Sequence, residues 1–179
     1  MARYVAFLRA INVGGHTVKM DALARLFESA GLANVETFIA SGNVIFSART
    51  ADVPALERRI ETALAKALGY QVATFIRTLD ELAAVAAREP FSRARLDGAG
   101  AFVVGFLGAP IDPVARGRLM ALRSDTDDFH VDPREIYWLS RGRQSESTFS
   151  NAVFEKVVGA KTTFRSITTI RKMAAKYKS

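Results

Sequence analysis

The sequence predicts an α+β protein built from two successive halves, and three observations carry that prediction. Short runs rich in Val, Ile, Phe and Tyr alternate with apolar stripes at helical spacing, so strands and helices are interleaved. Glycines and capping residues punctuate these segments where helices and turns must end. The element order of the first half is βαββαβ. At 179 residues the chain suits one large domain or two small ones, and 49% hydrophobic with 24% charged residues is an ordinary globular composition.

Tyr4 to Ile11 is almost wholly apolar, as expected of a central strand buried on both faces. The loop Asn12-Val13-Gly14-Gly15-His16 ends it. Leu23, Leu26, Phe27 and Ala30 then recur at helical spacing, with Gly31 at the C-cap position. Val35 to Ala40 and Val44 to Phe46 read as strands joined by the turn Ser41-Gly42-Asn43. Asp52 can cap a helix with the stripe Leu56, Ile60, Leu64 and Ala67, which Gly69 ends. Val72 to Ile76 is the next strand, and Thr78-Leu79-Asp80-Glu81 is a capping box that opens a short helix through Val85. This order is the ferredoxin-like pattern.

Pro90 to Gly100 reads as a looser crossing, which places the boundary near residue 90 and gives domains at 1–90 and 91–179. Phe102 to Leu107 is a strand, and Asp112-Pro113 begins a helix with proline in its first turn. Phe129 to Val131 and Ile136 to Leu139 form a hairpin around Asp132-Pro133-Arg134. Ser147 is the expected cap of a helix carrying Phe149, Val153, Phe154 and Val157, which Gly159 ends. Thr162 or Thr163 is the expected cap of a final helix with the stripe Ile167, Ile170, Met173, Ala174 and Tyr177. The second half therefore reads βαββα with a C-terminal helix, and no residue-level repeat between the halves stands out.

The chain has no cysteine, which removes thiol nucleophiles, thiol redox chemistry and cysteine zinc sites. No cofactor and no metal is expected. The N-terminal apolar run is too short for a signal-peptide core, and no stretch reaches the length of a membrane span, so the expectation is a cytoplasmic protein that does not engage a membrane. The net charge of +7 is unevenly placed. Up to residue 155, 18 basic and 18 acidic residues cancel, and the remaining 7 basic residues lie beyond it with no acid. A neutral body with a basic terminal segment suits a polyanionic partner, and a solvated helix face accounts for it equally well.

Three stretches carry a family resemblance. They are Phe7-Leu8-Arg9-Ala10-Ile11-Asn12-Val13-Gly14-Gly15, Thr37-Phe38-Ile39-Ala40-Ser41-Gly42-Asn43-Val44-Ile45-Phe46, and Thr162 to Lys172. On these the chain resembles the domain of unknown function 1697 family over essentially its full length. It carries Ala10 where the family usually has glycine, and Ser166 and Ile167 where the family usually has asparagine and tryptophan. The resemblance implies a two-part α+β fold with a ferredoxin-like first half. It implies no reaction, because the family has no established activity or catalytic residues.

The ferredoxin-like order itself places one candidate site. The first two strands run parallel with the third between them, so the end of the first and the turn after the second share one sheet edge. Asn12, Gly14, Gly15 and His16 should there face Ser41, Gly42 and Asn43, with Gly69 and Tyr70 nearby. Exposed backbone N–H groups of such a glycine loop suit a phosphate or carboxylate, assisted by Arg9 if it turns outward. The plainer alternative is a turn and a hairpin closure. The order matches neither a Walker loop nor a dinucleotide fingerprint.

A second candidate is the last helix. Arg165, Thr168, Thr169 and Lys172 would share one helical face suited to phosphate contacts, or simply face solvent. Enzymatic signals are weaker. His16 beside the glycine loop could act as a general base, although a lone loop histidine is usually just exposed. Asp125, Asp127 and Asp128 could hold magnesium, although turn chemistry explains them better. Tyr137 and Trp138 should point to opposite faces, one into the core and one outward, where it could stack on a base. The preferred reading is a non-catalytic binder of a phosphate-bearing partner, nucleic acid first among them. The alternatives are a small-molecule enzyme or ligand sensor using Asn12 to His16, and a protein-interaction module forming a homodimer through a sheet edge.

Overall fold

In a computed structural model that describes residues 1–12, 15–39, 42–143 and 147–178, the N-terminal apolar run becomes β1 (Ala2–Leu8), an interior strand. It is followed by α1 (Met20–Ser29), β2 (Ala33–Thr37), β3 (Asn43–Ala48), α2 (Val53–Leu68), β4 (Thr74–Thr78) and α3 (Leu79–Ala87). The strands form one antiparallel sheet in the order β2-β3-β1-β4. Leu23 and Phe27 of α1 and Leu56, Ile60 and Leu64 of α2 pack on Tyr4, Ala6, Leu8, Val44, Phe46 and Ile76. The opposite face, carrying Val5, Phe7, Ile45, Phe75 and Arg77, is buried as well. Burial on both faces is why β1 and β3 read as continuous apolar runs.

Local chemistry sets the ends of these elements. Asp52 caps α2 by accepting from the Ala55 N–H at 3.0 Å, and Gly69 ends that helix at φ 82°. The Thr78 capping box forms in both directions: Thr78 N–H donates to Glu81 at 2.8 Å and Glu81 N–H to Thr78 Oγ1 at 3.1 Å. The outer edge of β4 is closed by two carboxylates one helical turn apart on α2. Thr74 N–H donates to Glu61 at 2.9 Å and Ile76 N–H to Glu57 at 3.0 Å.

The second half holds α4 (Arg93–Asp97), β5 (Ala101–Phe106), α5 (Pro113–Met120), β6 (Asp127–Asp132), β7 (Glu135–Ser140), α6 (Asn151–Val158), β8 (Thr163–Ser166) and α7 (Ile167–Lys176). Its sheet runs β6-β7-β5-β8, again antiparallel, which is the strand order of the first sheet repeated. Val103, Phe129, Val131, Ile136 and Trp138 pack beneath Leu119, Phe154 and Val158. The contacts divide the chain into two units, Met1–Val85 with Met173–Ser179, and Ala86–Lys172. The chain passes from one to the other within α3 and again within α7.

The α+β class and the two halves are as expected, with four local differences. Thr163 and Phe164, expected inside or just before the last helix, belong to β8, so the second half completes a βαββαβ order before α7. The cause is pairing with β5: β-branched and aromatic side chains suit an edge strand, and α7 starts only after Ser166, whose hydroxyl accepts from Thr168 N–H at 3.2 Å. Ser150, not Ser147, caps α6 through Val153 N–H at 3.2 Å, while Ser147 turns the chain just before it by accepting from Phe149 N–H at 3.0 Å. The stretch expected to be loose contains α4, capped by Ser92. Tyr137 and Trp138 do alternate, but both are buried, so no aromatic of β7 is available for base stacking.

Candidate functional site

β1 and β2 are each antiparallel to β3, so the end of β1 and the loop between β2 and β3 meet at one edge of the first sheet. Leu8 N–H donates to the Gly42 carbonyl at 2.9 Å. Gly42 has φ 78°, and a Cβ there would lie 2.9 Å from Leu8 Cβ and 3.1 Å from Ile11 Cγ2, so glycine is required by both conformation and space. The two loops close differently. Asn12 Oδ1 accepts from Val18 N–H at 2.8 Å, and the buried Asn43 donates its Nδ2 to the Phe38 carbonyl at 3.1 Å. Both side chains thus shape their own loops.

Above this edge the Tyr70 hydroxyl donates to the Ile11 carbonyl at 2.7 Å, and the exposed His16 ring stacks on Tyr70 with centroids 4.0 Å apart. Arg9 is half-buried, with its N–H bonded to the Ala73 carbonyl at 2.9 Å. Gly15 is exposed at φ 83° with open space around it. Lys19, exposed, precedes the first turn of α1. Gly14 and Ser41, also expected here, lie outside the described residues. Two non-glycine residues in these loops adopt the left-handed conformation, Ala10 at φ 54° and Ile39 at φ 55°. For a β-branched residue this is a true outlier, and Ile39 is also 47% exposed. Such strain persists only where the surroundings over-determine it.

The second candidate does not assemble as expected. Arg165 lies in β8 rather than on the last helix, and its guanidinium donates to Thr163 Oγ1 at 2.8 Å and to the Phe164 carbonyl at 2.9 Å. Burial pushes it down to about 10. Thr168 and Lys172 remain one turn apart and exposed on α7, with Thr169 half-buried beside them. The expected stripe of Ile167, Ile170, Met173 and Tyr177 is buried. Lys176 is spent on Glu36 at 2.6 Å, and Arg171 reaches the Ala86 carbonyl at 3.5 Å.

The enzymatic signals also resolve. His130 is half-buried, its Nε2 lying 2.8 Å from Arg88 Nη2 and 3.0 Å from Asp132. Burial raises the Asp132 carboxyl, but the hydrogen bonds from Arg88 and His130 outweigh it and hold the group below its usual range. Asp127 accepts the buried Trp138 indole N–H at 2.7 Å, and Asp128 pairs with Arg95. Among the described residues no group of three or more His, Asp or Glu is placed to hold a metal. No helix among them is long and apolar enough to cross a membrane.

Residues 1–137 match the family described as a protein of unknown function, DUF1697. The chain belongs to that family. The match includes both N-terminal motifs and ends before the Thr162 to Lys172 stretch. No curated protein matches. Among solved structures, the chain resembles the conserved bacterial protein SP0830 from Streptococcus pneumoniae at 21% identity and a TM-score of 0.71, over 100% of this chain and 99% of that one. That likeness speaks for the fold alone.

Two features of the DUF1697 chain differ from, or go beyond, what its sequence leads one to expect. Asp127, expected to serve turn chemistry, is the acceptor for the one tryptophan. Arg77 is fully buried on β4. A signal existed for it: Thr74-Phe75-Ile76-Arg77-Thr78-Leu79 parallels Thr162-Thr163-Phe164-Arg165-Ser166-Ile167. Arg77 is in register with Val5 of β1, and Arg165 with Val104 of β5, the equivalent positions of the two sheets.

Proposed function

We propose that this protein is a non-catalytic binder of a phosphate-bearing partner, held at the first-sheet edge to which the described residues 9–12, 15–18, 38–39 and 42–43 belong. The observation that carries the reading is the convergence, through the Leu8–Gly42 hydrogen bond, of two loops that each hold a non-glycine residue in the left-handed conformation. Strain at two adjacent loops marks a place where shape is kept for something other than stability. The exposed His16 ring fixed on Tyr70, the exposed Lys19 and the open backbone at Gly15 supply donors for an anion. The basic segment after residue 155 supports the reading less than its composition suggests, because Arg165 and Lys176 are already engaged.

Nucleic acid is the form of partner to test first. Labelled single-stranded RNA, single-stranded DNA and duplex DNA are titrated by fluorescence anisotropy at about 50 and 200 mM salt. The reading expects binding at the lower salt that falls steeply at the higher, weakens in Lys19→Gln and His16→Ala, and survives in Lys172→Ala. Absence of binding to all three at low salt removes nucleic acid as the partner. Binding that is lost only in Lys172→Ala would move the site to α7.

A further inference from the structure

The second unit contains a cleft of about 370 Å³, within the range of small-molecule sites. Its walls come from α4, the turn ahead of β6 and the end of β7. Arg141 N–H donates to the Thr126 carbonyl at 2.9 Å, which holds two of these segments side by side. Most of the charge in the wall is already committed. Asp127 accepts from Trp138 at 2.7 Å, from the Thr126 hydroxyl at 3.0 Å and from the Ser147 hydroxyl at 3.4 Å. Asp128 is paired with Arg95.

Two charged side chains are left over. Asp125 and Arg141, both exposed, form no ion pair or side-chain hydrogen bond with any described residue, although their segments are tied together. Ser140 lines the same cleft while only 4% exposed, and no described residue hydrogen-bonds its hydroxyl. Its hydroxyl is not sealed off from solvent, so it can donate or accept at the cleft wall. Opposite charges on neighbouring segments of one cleft wall, not joined to each other, offer complements to a ligand that carries both signs.

We propose that this cleft binds a small zwitterion of free amino-acid or dipeptide size, with its carboxylate on Arg141 and its ammonium on Asp125. The guanidinium fork matches a carboxylate in two parallel hydrogen bonds. The Ser140 hydroxyl supplies a third, neutral contact. A purely anionic ligand would meet the carboxylates of Asp125 and Asp127, and a bare cation would meet the guanidinium of Arg141. The zwitterion is the class that leaves neither sign opposed.

Trp138, the one tryptophan, donates to Asp127 in the cleft wall, so its emission reports on occupancy. The full chain is titrated with the proteinogenic amino acids individually and with simple dipeptides, up to about 10 mM, following Trp138 emission and Tm. The N-acetyl amides of the same amino acids serve as uncharged controls. The proposal expects at least one zwitterion to give a saturable change that its capped amide does not. It expects Arg141→Gln and Asp125→Asn each to weaken that binding by about tenfold or more, and Arg116→Gln on α5 to leave it unchanged. Both replaced side chains are exposed and pair with no described residue, so folding should survive, which unchanged Tm without ligand would verify. The proposal is overturned if no zwitterion binds, if a capped amide binds as well as its parent, or if both cleft variants bind as tightly as the original chain. The cleft lies wholly in the second unit, so its failure leaves the first-sheet edge reading untouched.

Discussion

Tyr177 donates its hydroxyl to Glu36 Oε1 at 2.6 Å, and Lys176 reaches the same oxygen at 2.6 Å. This one carboxylate ties the end of α7 to β2, with Phe38 edge-on to Tyr177 at 5.8 Å between ring centroids. The side chains that anchor the C-terminal end are thus basic and aromatic, and a charge that looks free in the sequence is part of the fold.

The pH dependence of that tie follows from its donors. Hydrogen bonds from Lys176 and then Tyr177 hold the Glu36 carboxyl below its ordinary value of 4.5. A depressed carboxyl contributes stability above the unfolded-state pKa and loses it as pH falls through the folded one. Glu36→Gln should therefore speed amide exchange over residues 173–178 at neutral pH, and make little difference once the pH is well below 4.5. Equal exchange rates at neutral pH would contradict the tie.

Asp127→Ala should destabilise the second unit by about 1–3 kcal/mol, because it strands the indole N–H of Trp138 in the core. Asp127→Asn, which keeps an acceptor oxygen, should recover part of that loss. Urea unfolding followed by circular dichroism measures both. An unchanged midpoint for the alanine variant would show that the 2.7 Å contact carries no net weight.

Ala10 and Gly42 make opposite predictions from the same rule. Ala10 sits at φ 54°, where a Cβ is unfavourable, so Ala10→Gly should stabilise by roughly 0.5–1 kcal/mol in thermal unfolding. Gly42→Ala should destabilise by more than that, because the new Cβ would also collide with Leu8.

Glu61→Ala removes the acceptor for Thr74 N–H on the outer edge of β4. It should cost about 0.5–1.5 kcal/mol and expose a strand edge to intermolecular pairing. Light scattering on heated samples should rise relative to the original chain. If it does not, β4 has other protection at that position.

Much of the fold was legible because the local signals were unambiguous. Asp52, Gly69 and the Thr78–Glu81 box are end-markers whose chemistry acts within a few residues. β8 was not legible, because Thr163 to Ser166 is short and runs directly into α7, and only pairing with β5 makes it a strand. The edge at Leu8 and Gly42 followed from strand order alone. Arg165 did not follow, since helical spacing does not apply to a residue that is extended in β8. The roles of Asp127 and Arg77 depend on partners or burial set by distant chain, which no window of sequence displays.

The most direct test of the central claim is an NMR titration of the ¹⁵N-labelled chain with inorganic phosphate, up to about 10 mM at low salt. The account predicts saturable shifts confined to the amides around the first-sheet edge, with Gly15, His16 and Gly42 among the largest, and their loss in Gly15→Val with the rest of the spectrum preserved. Shifts spread evenly over exposed basic residues, or none at Gly15 and Gly42, would contradict it.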